Sequence, residues 1–466
     1  MRFLRPVWWS GSMSLAAVVR AAVRQGLLPA WSPVAGLLDV QGVRAAATAL
    51  REAFEEAGAA PGATLHAFAV KAASLVPVLR LLAGEGLGAE VASPGELALA
   101  RAAGVPPERI VLDSPVKTTA ELREALALGV AVNADSREEL ARLDGMLRGA
   151  AGPPRSPLGI RVNPQVGGGR IGALSTATDT SKFGVALRDE GARAWLLRAF
   201  AERPWLTRLH AHVGSQGCPL ELMAAGVRAA YELAEEVNRT VGRRQVTTLD
   251  IGGGLPVNFA SDDVTPTFRA YARLLAEAAP GLFDGRYGLV TEFGRSLLAK
   301  SGLVLARVEY TKTAGGRRIA VTHAGAQVAT RTVFAPASWP LRVAAFDALG
   351  RPKTGPPVHQ DVAGPCCFAG DVVAVDRPLP LLEAGDHVAL LDTGAYYFSN
   401  HFAYNSLPRP GVYGYVAAEE QGDAHEGGDA EEGDGVRFAT VRAPQTLDEL
   451  VAESGGAHAA DLGALR

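Results

Sequence analysis

The sequence is short of cysteine, of net charge and of long hydrophobic runs, and each shortage excludes a class of protein. Three cysteines among 466 residues, the adjacent Cys366 and Cys367 and a distant Cys218, match neither a disulfide framework nor a zinc site. A formal net charge of -3 gives no indication of nucleic acid or an anionic membrane as a partner. The apolar stretch 14–19 is cut by Arg20, so it is too short for a membrane span and a poor signal peptide. We therefore expect a cytoplasmic protein in a reducing compartment.

Apolar residues and glycine are abundant instead. Apolar residues make up 48% of the chain, which is enough for large buried cores. Because 466 residues are too many for a single ordinary core, two domains are expected. The 53 glycines and 29 prolines predict many turns, as an alternation of strands and helices requires.

From His66 onward, short apolar runs typical of strands alternate with amphipathic stretches typical of helices, such as 121–128 and 220–237. Eight strand candidates over this length are typical of a (β/α)8 barrel, so we predict an α/β fold with such a barrel over residues 41–297. The strand candidates are His66–Val70, Gly88–Ser93, Arg109–Asp113, Ala131–Asp135, Leu158–Asn163, Leu209–Ser215, Thr248–Gly252 and Leu289–Glu292.

After Arg295 the pattern changes to short apolar runs with no long helices between them. Turn signals separate these runs, which predicts a β domain, either a β-sandwich or a β-barrel, built from residues 1–40 and 298–466. Residues 418–435 carry acidic residues and glycine without lysine or arginine, so we expect a disordered insertion there. A partner-binding loop is the alternative for that insertion.

In a (β/α)8 barrel the chemistry lies at the carboxyl ends of the strands, so the residues there are the functional candidates. Lys71 directly follows the first strand, and it is either a surface lysine or a buried amine available for Schiff-base chemistry. Glu90 and Glu96 lie at the end of the second strand. Glu96 is a candidate cofactor-binding residue, and a carboxylate that begins a helix favourably is its alternative.

The later strand ends carry histidines, glycines and a possible ion pair. Strand alternation puts His210 and His212 on one face, either in the core or against a ligand, and no third residue completes a zinc site. The triple glycine 252–254 predicts backbone N–H groups that converge on an anion such as phosphate, or only a tight turn. Glu292 would hold a proton on a ring nitrogen, and Arg295 would pair with a phosphate. The alternative is that the two residues form a local ion pair.

A lysine, a phosphate-binding turn and a carboxylate for a pyridine nitrogen are the parts that a pyridoxal-phosphate (PLP) site needs. Their order along the chain resembles the fold-type III PLP decarboxylases, the family of diaminopimelate, ornithine and arginine decarboxylases, and is most similar to the diaminopimelate branch. The resemblance extends from residue 40 to residue 453. The motifs that carry it are Ala69-Val70-Lys71-Ala72, Ser93-Pro94-Gly95-Glu96, Ser181-Lys182-Phe183-Gly184, His212-Val213-Gly214-Ser215-Gln216, Gly252-Gly253-Gly254, Glu292-Phe293-Gly294-Arg295, Gly364-Pro365-Cys366-Cys367, Gly394-Ala395-Tyr396, Tyr404-Asn405-Ser406 and Arg409-Pro410.

The resemblance implies a role for each matched residue. Lys71 would bind the cofactor covalently, Glu292 would keep the pyridine nitrogen protonated, and His212 would stack on the ring. Cys367 would lie across the interface of a head-to-tail homodimer and would help to protonate the substrate after CO2 has left. The residues that would hold the phosphate are Ser215, Gly252, Gly253, Gly254, Arg295 and Tyr396.

The sequence departs from this family where it is expected to contact the substrate side chain. Phe368 follows Cys367 at a position where relatives that act on diamino acids carry an acidic residue, which binds the distal ammonium. Loss of such a charge-assisted hydrogen bond costs about 1.5–3 kcal/mol, or about one to two decades in discrimination. Arg331 matches a position that contacts a distal carboxylate, with a surface arginine as the alternative, and Tyr404 is a further substrate-binding candidate.

The sequence therefore predicts a homodimeric PLP-dependent decarboxylase for an amino acid that lacks a distal amine and carries a distal carboxylate, in a specialised biosynthetic pathway. The alternative is a meso-diaminopimelate decarboxylase of lysine biosynthesis. An amino-acid racemase is disfavoured because those enzymes place arginine against the pyridine nitrogen, where this sequence has Glu292. A catalytically inactive regulatory homologue is disfavoured because the cofactor residues are present. Neither a metal nor a nucleic acid nor a membrane is expected as a partner.

Overall fold

The structure, a computed structural model, describes residues 14–148, 152–418 and 435–465. Within these ranges the chain divides into two units. The barrel unit comprises residues 43–258 and 263–297, and the sheet unit comprises the residues before 43, residues 259–262 and those from 298 onward. Among the helices of the described ranges, none combines the length and the hydrophobicity that a membrane-spanning segment needs.

The strands in chain order are β1 Val34–Asp39, β2 Thr64–Ala69, β3 Gly88–Val91, β4 Ile110–Asp113, β5 Ala131–Ala134, β6 Leu158–Asn163, β7 Val185–Ala186, β8 Leu206–His210, β9 Thr248–Asp250, β10 Gly288–Thr291, β11 Gly302–Ala314, β12 Arg317–Thr322, β13 Val343–Phe346, β14 Pro357–Ala363, β15 Val372–Pro380, β16 His387–Leu391, β17 Gly411–Ala417 and β18 Val436–Arg442. The α-helices are α1 Leu15–Arg24, α2 Val40–Glu56, α3 Val76–Gly84, α4 Pro94–Ala102, α5 Thr119–Leu128, α6 Arg137–Leu147, α7 Ala192–Glu202, α8 Leu220–Val241, α9 Phe268–Ala278, α10 Arg295–Leu298, α11 Ala326–Phe334 and α12 Leu447–Glu453.

The barrel unit is built on eight parallel strands. Strands β2, β3, β4, β5, β6, β8, β9 and β10 pair in that order, and β10 returns to pair with β2. This closure confirms the predicted (β/α)8 barrel. Strands β3, β4, β5 and β6 are short and buried along their length, as in parallel sheets covered by helices, and their apolar residues are interrupted by single buried polar ones. All eight strands end at the same rim, which brings their following residues together.

The sixth barrel strand lies earlier in the sequence than predicted. The prediction was Leu209–Ser215, but β8 ends at His210 and pairing along it begins at Leu206. Ala211 N still donates to Asp250 O at 2.9 Å. The residues after Ala211 leave the strand ladder and fold into a loop. His212 therefore lies in that loop, and strand alternation does not set its direction.

Helix ends in the barrel unit follow local sequence signals. Helix α5 begins with a capping box, in which the Thr118 hydroxyl accepts from Glu121 N at 3.2 Å and the Glu121 carboxylate accepts from Thr118 N at 2.6 Å. It ends at Gly129, whose φ of 82° is the left-handed conformation that glycine adopts at little cost. Such sharply defined ends fix where each helix releases the chain into the next strand.

The sheet unit is one connected mixed sheet of nine strands. Its main order is β15-β14-β12-β11-β1-β17-β18, with β16 also on β11 and β13 on β16. Helix α1 packs its Val18 and Val19 into a core with Leu37, Leu303 and Tyr415. The predicted insertion 418–435 connects β17 to β18, and Ala418 N donates to Gly435 O at 2.7 Å; the residues between them lie outside the described ranges.

The sheet unit also contains a helix that the sequence did not predict. Helix α11, Ala326–Phe334, lies where an all-β pattern was expected. Its residues include several β-branched side chains, which favour strands, and Ala329 interrupts the regular helix with a φ of -131°. This helix carries Arg331, so the substrate candidate lies on a helix and not in a loop or strand.

A buried histidine in β2 couples folding of the barrel unit to pH. His66 is 6% exposed and its Nδ1 lies 2.9 Å from the Thr291 hydroxyl. Burial, with the nearby Arg51 and Arg109, lowers the pKa of His66 from its ordinary value to about 4. The folded protein therefore holds this side chain neutral at a pH where the unfolded chain binds a proton.

We expect the free energy of unfolding to fall as the pH drops from 6.5 to about 4, because only the unfolded state gains a proton at His66 in that window. The contribution is at most about 3 kcal/mol, and above pH 6.5 it is fully present. Urea denaturation across this pH range measures it, with His66→Gln expected to flatten the slope. The same substitution at the exposed His359 is the control; an equal slope in wild type and His66→Gln would contradict the prediction.

Candidate active site

Lys71 lies at the rim of the barrel, in the 3₁₀ turn Val70–Ala72 that directly follows β2. Its Nζ donates to Glu90 Oε2, and Glu90 belongs to the neighbouring strand β3. Burial raises the pKa of Glu90, while the Lys71 amine acts in the opposite direction. The Lys71 side chain is 42% exposed, so of the two alternatives for this residue the structure does not show a fully buried amine.

Glu96 has a local role in starting a helix. It occupies the first turn of α4, whose N-cap Ser93 accepts from Glu96 N at 3.2 Å. The Glu96 carboxylate accepts in turn from Ala92 N at 2.7 Å. These contacts agree with the alternative for Glu96, in which its carboxylate begins a helix favourably. A part for Glu96 in cofactor binding stays a prediction.

Glu292 follows β10 and is 3% exposed. Burial, together with the carboxylates of Asp250, Asp113 and Glu90, raises its pKa well above the ordinary value. Its Oε1 has no hydrogen-bond partner among the described residues. A buried carboxyl oxygen without a partner is costly, so this atom is suited to an N–H group supplied by a ligand.

The two histidines of the sixth strand end lie beside Glu292. His210 Nε2 is 3.7 Å and His212 Nδ1 is 3.4 Å from Glu292 Oε2. Their rings are nearly perpendicular, with centroids 6.4 Å apart. Burial, followed by the positive charge of Arg161, lowers the pKa of His212 well below its ordinary value. The sequence indicated no clear third ligand beside this pair; the structure brings one in Glu292, because β8 and β10 flank β9 in the barrel.

The triple glycine is packed too tightly for any side chain. A Cβ on Gly253 would lie 2.1 Å from Glu292 O, and a Cβ on Gly254 would lie 1.9 Å from Gly214 O. Gly252 and Gly254 also have φ values of +66° and +89°, which side chains other than glycine rarely adopt. The glycines are therefore required for the close approach of three strand ends.

The other proposed phosphate residues of the barrel unit lie at the same rim. Ser215 belongs to the loop after β8, where its carbonyl accepts from Cys218 N at 3.0 Å. Arg295 is 5% exposed and begins α10 directly after β10. Both follow strands that neighbour the triple-glycine strand β9 in the barrel.

A layer of buried charges near the site was not singled out in the sequence. Arg161 Nη1 lies 3.3 Å from Asp113 Oδ2, and Arg208 Nη2 lies 3.3 Å from Asp250 Oδ2. Asn133 Nδ2 also donates to Asp250 Oδ2 at 3.1 Å. A signal was present, since Asp113 ends one predicted strand and Asp250 lies within another, but a single carboxylate in a strand does not reveal its partner. These charges raise the pKa of Glu292 and lower that of His212.

In the sheet unit, Cys367 and its neighbours form an exposed group. Cys367 N donates to Asn405 Oδ1 at 2.7 Å, and the Tyr404 hydroxyl donates to Cys367 O at 3.5 Å. Asn405 and Ser406 have φ values of 57° and 51°. This left-handed conformation raises the backbone energy of residues other than glycine, and such residues are common at functional sites. The cysteine is thus exposed on a backbone that its neighbours hold in place.

Phe368 belongs to a cluster of four aromatic rings. It stacks on Phe334 with centroids 5.5 Å apart and meets Tyr404 edge-on at 5.5 Å. Phe402 stacks on Tyr404 at 5.7 Å and contacts Phe334 edge-on at 5.8 Å. Phe334 is 60% exposed, so the cluster presents an apolar surface beside Cys367.

Arg331 lies between two aromatic rings of the sheet unit. Its guanidinium carbon is 4.5 Å from the ring centre of Tyr396 and 5.1 Å from that of Trp339. Its Nη1 is buried and has no hydrogen-bond partner among the described residues. Tyr396 has a φ of 67°, which indicates that its position is fixed at a cost in backbone energy. A cation held in this way is suited to an anionic ligand.

The residues of the barrel rim fit PLP. The unpartnered Oε1 of Glu292 can accept from the pyridine nitrogen, and the triple glycine places backbone without side chains at the same rim. Lys71 supplies a primary amine with an exposed side chain for the aldehyde, and the buried Arg295 supplies positive charge for the phosphate.

Comparison with known proteins agrees with this chemistry. The model of the pyridoxal-binding domain of pyridoxal-dependent decarboxylases matches residues 43–299. The diaminopimelate decarboxylase of Pseudomonas aeruginosa is 35% identical over 348 residues, covering 74% of this chain and 80% of the relative. That of Aquifex aeolicus is 31% identical over 361 residues, covering 77% of this chain and 83% of the relative.

Solved structures extend the similarity to most of the chain. The diaminopimelate decarboxylase of Helicobacter pylori in complex with L-lysine superposes with a TM-score of 0.76 at 26% identity, covering 93% of this chain and all of the other. The chain therefore belongs to the PLP-dependent decarboxylase family, with PLP as its cofactor and amino-acid decarboxylation as its reaction.

Proposed function

We propose that the chain decarboxylates an amino acid with a carboxylate at the far end of its side chain, and that meso-diaminopimelate is the first candidate. The observation that carries this proposal is Arg331, whose buried Nη1 has no partner among the described residues while two rings hold the guanidinium in place. Relatives named diaminopimelate decarboxylase, at 31% to 35% identity, support the choice of substrate.

We assign the cofactor to the barrel rim. Lys71 would hold it covalently, His212 would lie against the ring and Glu292 would hold the proton on the ring nitrogen. The phosphate would be bound by Ser215, Gly252, Gly253, Gly254, Arg295 and Tyr396. When bound, PLP supplies a ring that accepts the electron pair left behind as the α-carboxylate departs as CO2.

The protein's own groups supply the proton transfers. The Glu292 carboxylate would keep the proton on the ring nitrogen, and its burial keeps water from weakening that interaction. The Cys367 thiol or the Lys71 amine would return a proton to the α-carbon, and Lys71 would then release the amine product. The Lys71 contact with Glu90 keeps the amine near the rim before the cofactor binds.

Replacing Arg331 tests the proposed substrate class. We expect Arg331→Gln to raise the KM for meso-diaminopimelate about 10- to 100-fold, because a charge-assisted hydrogen bond to the distal carboxylate is lost. The control is the same substitution at the exposed Arg351. An unchanged KM, or a loss confined to cofactor affinity, would contradict the assignment of Arg331 to the substrate.

A second candidate substrate lacks the distal amine, and Phe368 favours it. The phenyl ring lies in the four-ring cluster, whose members offer no carboxylate for an ammonium group. An amino acid with a distal carboxylate and an uncharged group in place of the amine, from a specialised pathway, suits this surface. Both candidates share the distal carboxylate, so Arg331 has the same role in each.

Substituting Phe368 distinguishes the two candidates. If meso-diaminopimelate is the substrate, Phe368→Glu restores an acceptor for its distal ammonium and should raise kcat/KM about 10- to 100-fold. Phe368→Leu, which removes the ring without adding charge, is the control. A fall in kcat/KM for meso-diaminopimelate in Phe368→Glu would count against this place for the distal amine.

We further propose that the active enzyme is a head-to-tail homodimer in the cytoplasm. The exposure of Cys367 and of the four-ring cluster beside it supports a surface that a second copy covers. All three cysteines are unpaired, as is usual in a reducing compartment.

A further inference from the structure

Two histidines and a glutamate at the barrel rim form a compact set of metal ligands. His210, His212 and Glu292 each offer one ligand atom, and these atoms all lie within 4.8 Å of one another. The two measured separations from Glu292 Oε2 are 3.4 Å to His212 Nδ1 and 3.7 Å to His210 Nε2. Ligand atoms of a tetrahedral zinc ion lie about 3.3 Å apart, since each bond is about 2.0–2.1 Å long. The cluster thus needs little movement to close on an ion.

In both histidines an oxygen lies near the ring nitrogen that faces away from Glu292, and for His212 it is a hydrogen-bond partner. His210 Nδ1 lies 3.4 Å from Asp113 Oδ1, and His212 Nε2 lies 3.1 Å from Gly214 O. Metal-binding histidines almost always donate their second N–H to a carboxylate or a backbone carbonyl, which fixes the tautomer and orients the ring. On the inner side, His212 Nδ1 accepts from Gly253 N at 3.3 Å, and a metal ion would take the place of this hydrogen bond.

Two atoms on the inner side of the cluster lack partners of their own. His210 Nε2 and Glu292 Oε1 have no hydrogen-bond partner among the described residues, and both side chains are at least nine-tenths buried. Asp250 and Asp113 add further negative charge around Glu292. Buried ligand atoms without partners, surrounded by carboxylates, favour a divalent cation.

We propose that the chain without its cofactor binds Zn²⁺, or a divalent ion of similar size, through His210, His212 and Glu292, with water in the fourth position. Two histidines and a glutamate are a known zinc ligand set that leaves this position open. Because His212 and Glu292 are also assigned to PLP, the ion and the cofactor exclude each other. The proposed metal binding is inferred from the geometry of the three ligands alone. The mutual exclusion of the ion and the cofactor also rests on the proposed function.

The test uses the full-length chain freed of PLP and titrated with Co²⁺, whose visible absorption reports a four-coordinate site. We expect a one-to-one complex that Zn²⁺ displaces, and we expect added PLP to abolish the cobalt bands as its own band appears. X-ray absorption of the zinc-loaded wild type should detect two imidazole ligands. Absence of a one-to-one complex, a shell without imidazole, or cobalt and PLP bands that persist together would overturn the proposal.

Matched variants locate the ion. Loss of a hydrogen bond to the outer nitrogen of a metal-binding histidine lowers metal affinity about 10- to 100-fold. We expect His210→Gln to weaken cobalt binding by more than this, and Asp113→Asn to weaken it by an amount within this range. His66→Gln removes another buried histidine of the same barrel and should bind cobalt as the wild type does. Equal cobalt affinity in His210→Gln and wild type would overturn the proposal. Failure of PLP to bind the metal-free chain would instead contradict the proposed function and leave the metal site standing.

Discussion

Mixing two inactive variants should restore activity. Lys71→Ala removes the amine that holds the cofactor, and Cys367→Ala removes the proposed proton donor, so each alone should lose about 10²- to 10⁴-fold in kcat. In a head-to-tail dimer these residues come from different subunits. A mixed dimer then contains one site with both residues and one with neither, so random reassortment should recover about one quarter of wild-type activity.

The recovery is measured after the two variants are mixed, dissociated and reassembled. Lys71→Arg, which keeps a positive charge beside Glu90 without a primary amine, can replace Lys71→Ala where the neutral variant folds poorly. Borohydride reduction followed by peptide mass spectrometry should attach the cofactor to Lys71 in wild type and to neither Lys71 variant. Mixed dimers that form without regaining activity would contradict the placement of Cys367 in the partner's site.

Glu292→Gln should lower kcat about 10²- to 10³-fold, the cost typical of removing one preorganised electrostatic contact. The amide keeps the size and hydrogen-bonding shape of the carboxylate but cannot balance the charge of a protonated ring nitrogen. The expected signature is a fall in kcat without a matching rise in KM, because the charge matters most as CO2 leaves.

The same substitution at the exposed Glu232 controls for a general loss of stability. Glu292→Asp, which retains the charge on a shorter side chain, should recover part of the lost rate. A Glu292→Gln enzyme with wild-type kcat would show that the ring nitrogen does not depend on this carboxylate.

The barrel could be predicted because each strand carries its own signal. The run Leu158–Asn163 is mostly apolar, with Arg161 and Asn163 as exceptions, and the observed β6 has the same bounds and is buried along its length. The residues that follow the strands could be named as a set for the same reason. The carboxyl ends of all barrel strands meet at one rim, so order along the chain becomes proximity in space.

Pairings between distant side chains could not be predicted. The sequence does not predict that Glu292 approaches both His210 and His212, because this contact depends on β8 and β10 pairing with opposite edges of β9. The pairing of Arg161 with Asp113 was missed for the same reason. Helix α11 was missed because its β-branched residues mask a helix that tertiary contacts stabilise.

The most direct test of the proposed function is CO2 release by the PLP-loaded enzyme from a panel of amino acids. The panel contains meso-diaminopimelate, glutamate and longer amino acids with distal carboxylates, alongside lysine, ornithine and arginine, which lack one. The proposed role of Arg331 predicts turnover of a distal-carboxylate substrate, with meso-diaminopimelate the first expected and lysine as its product. Turnover of lysine, ornithine or arginine with none from any distal carboxylate would contradict it.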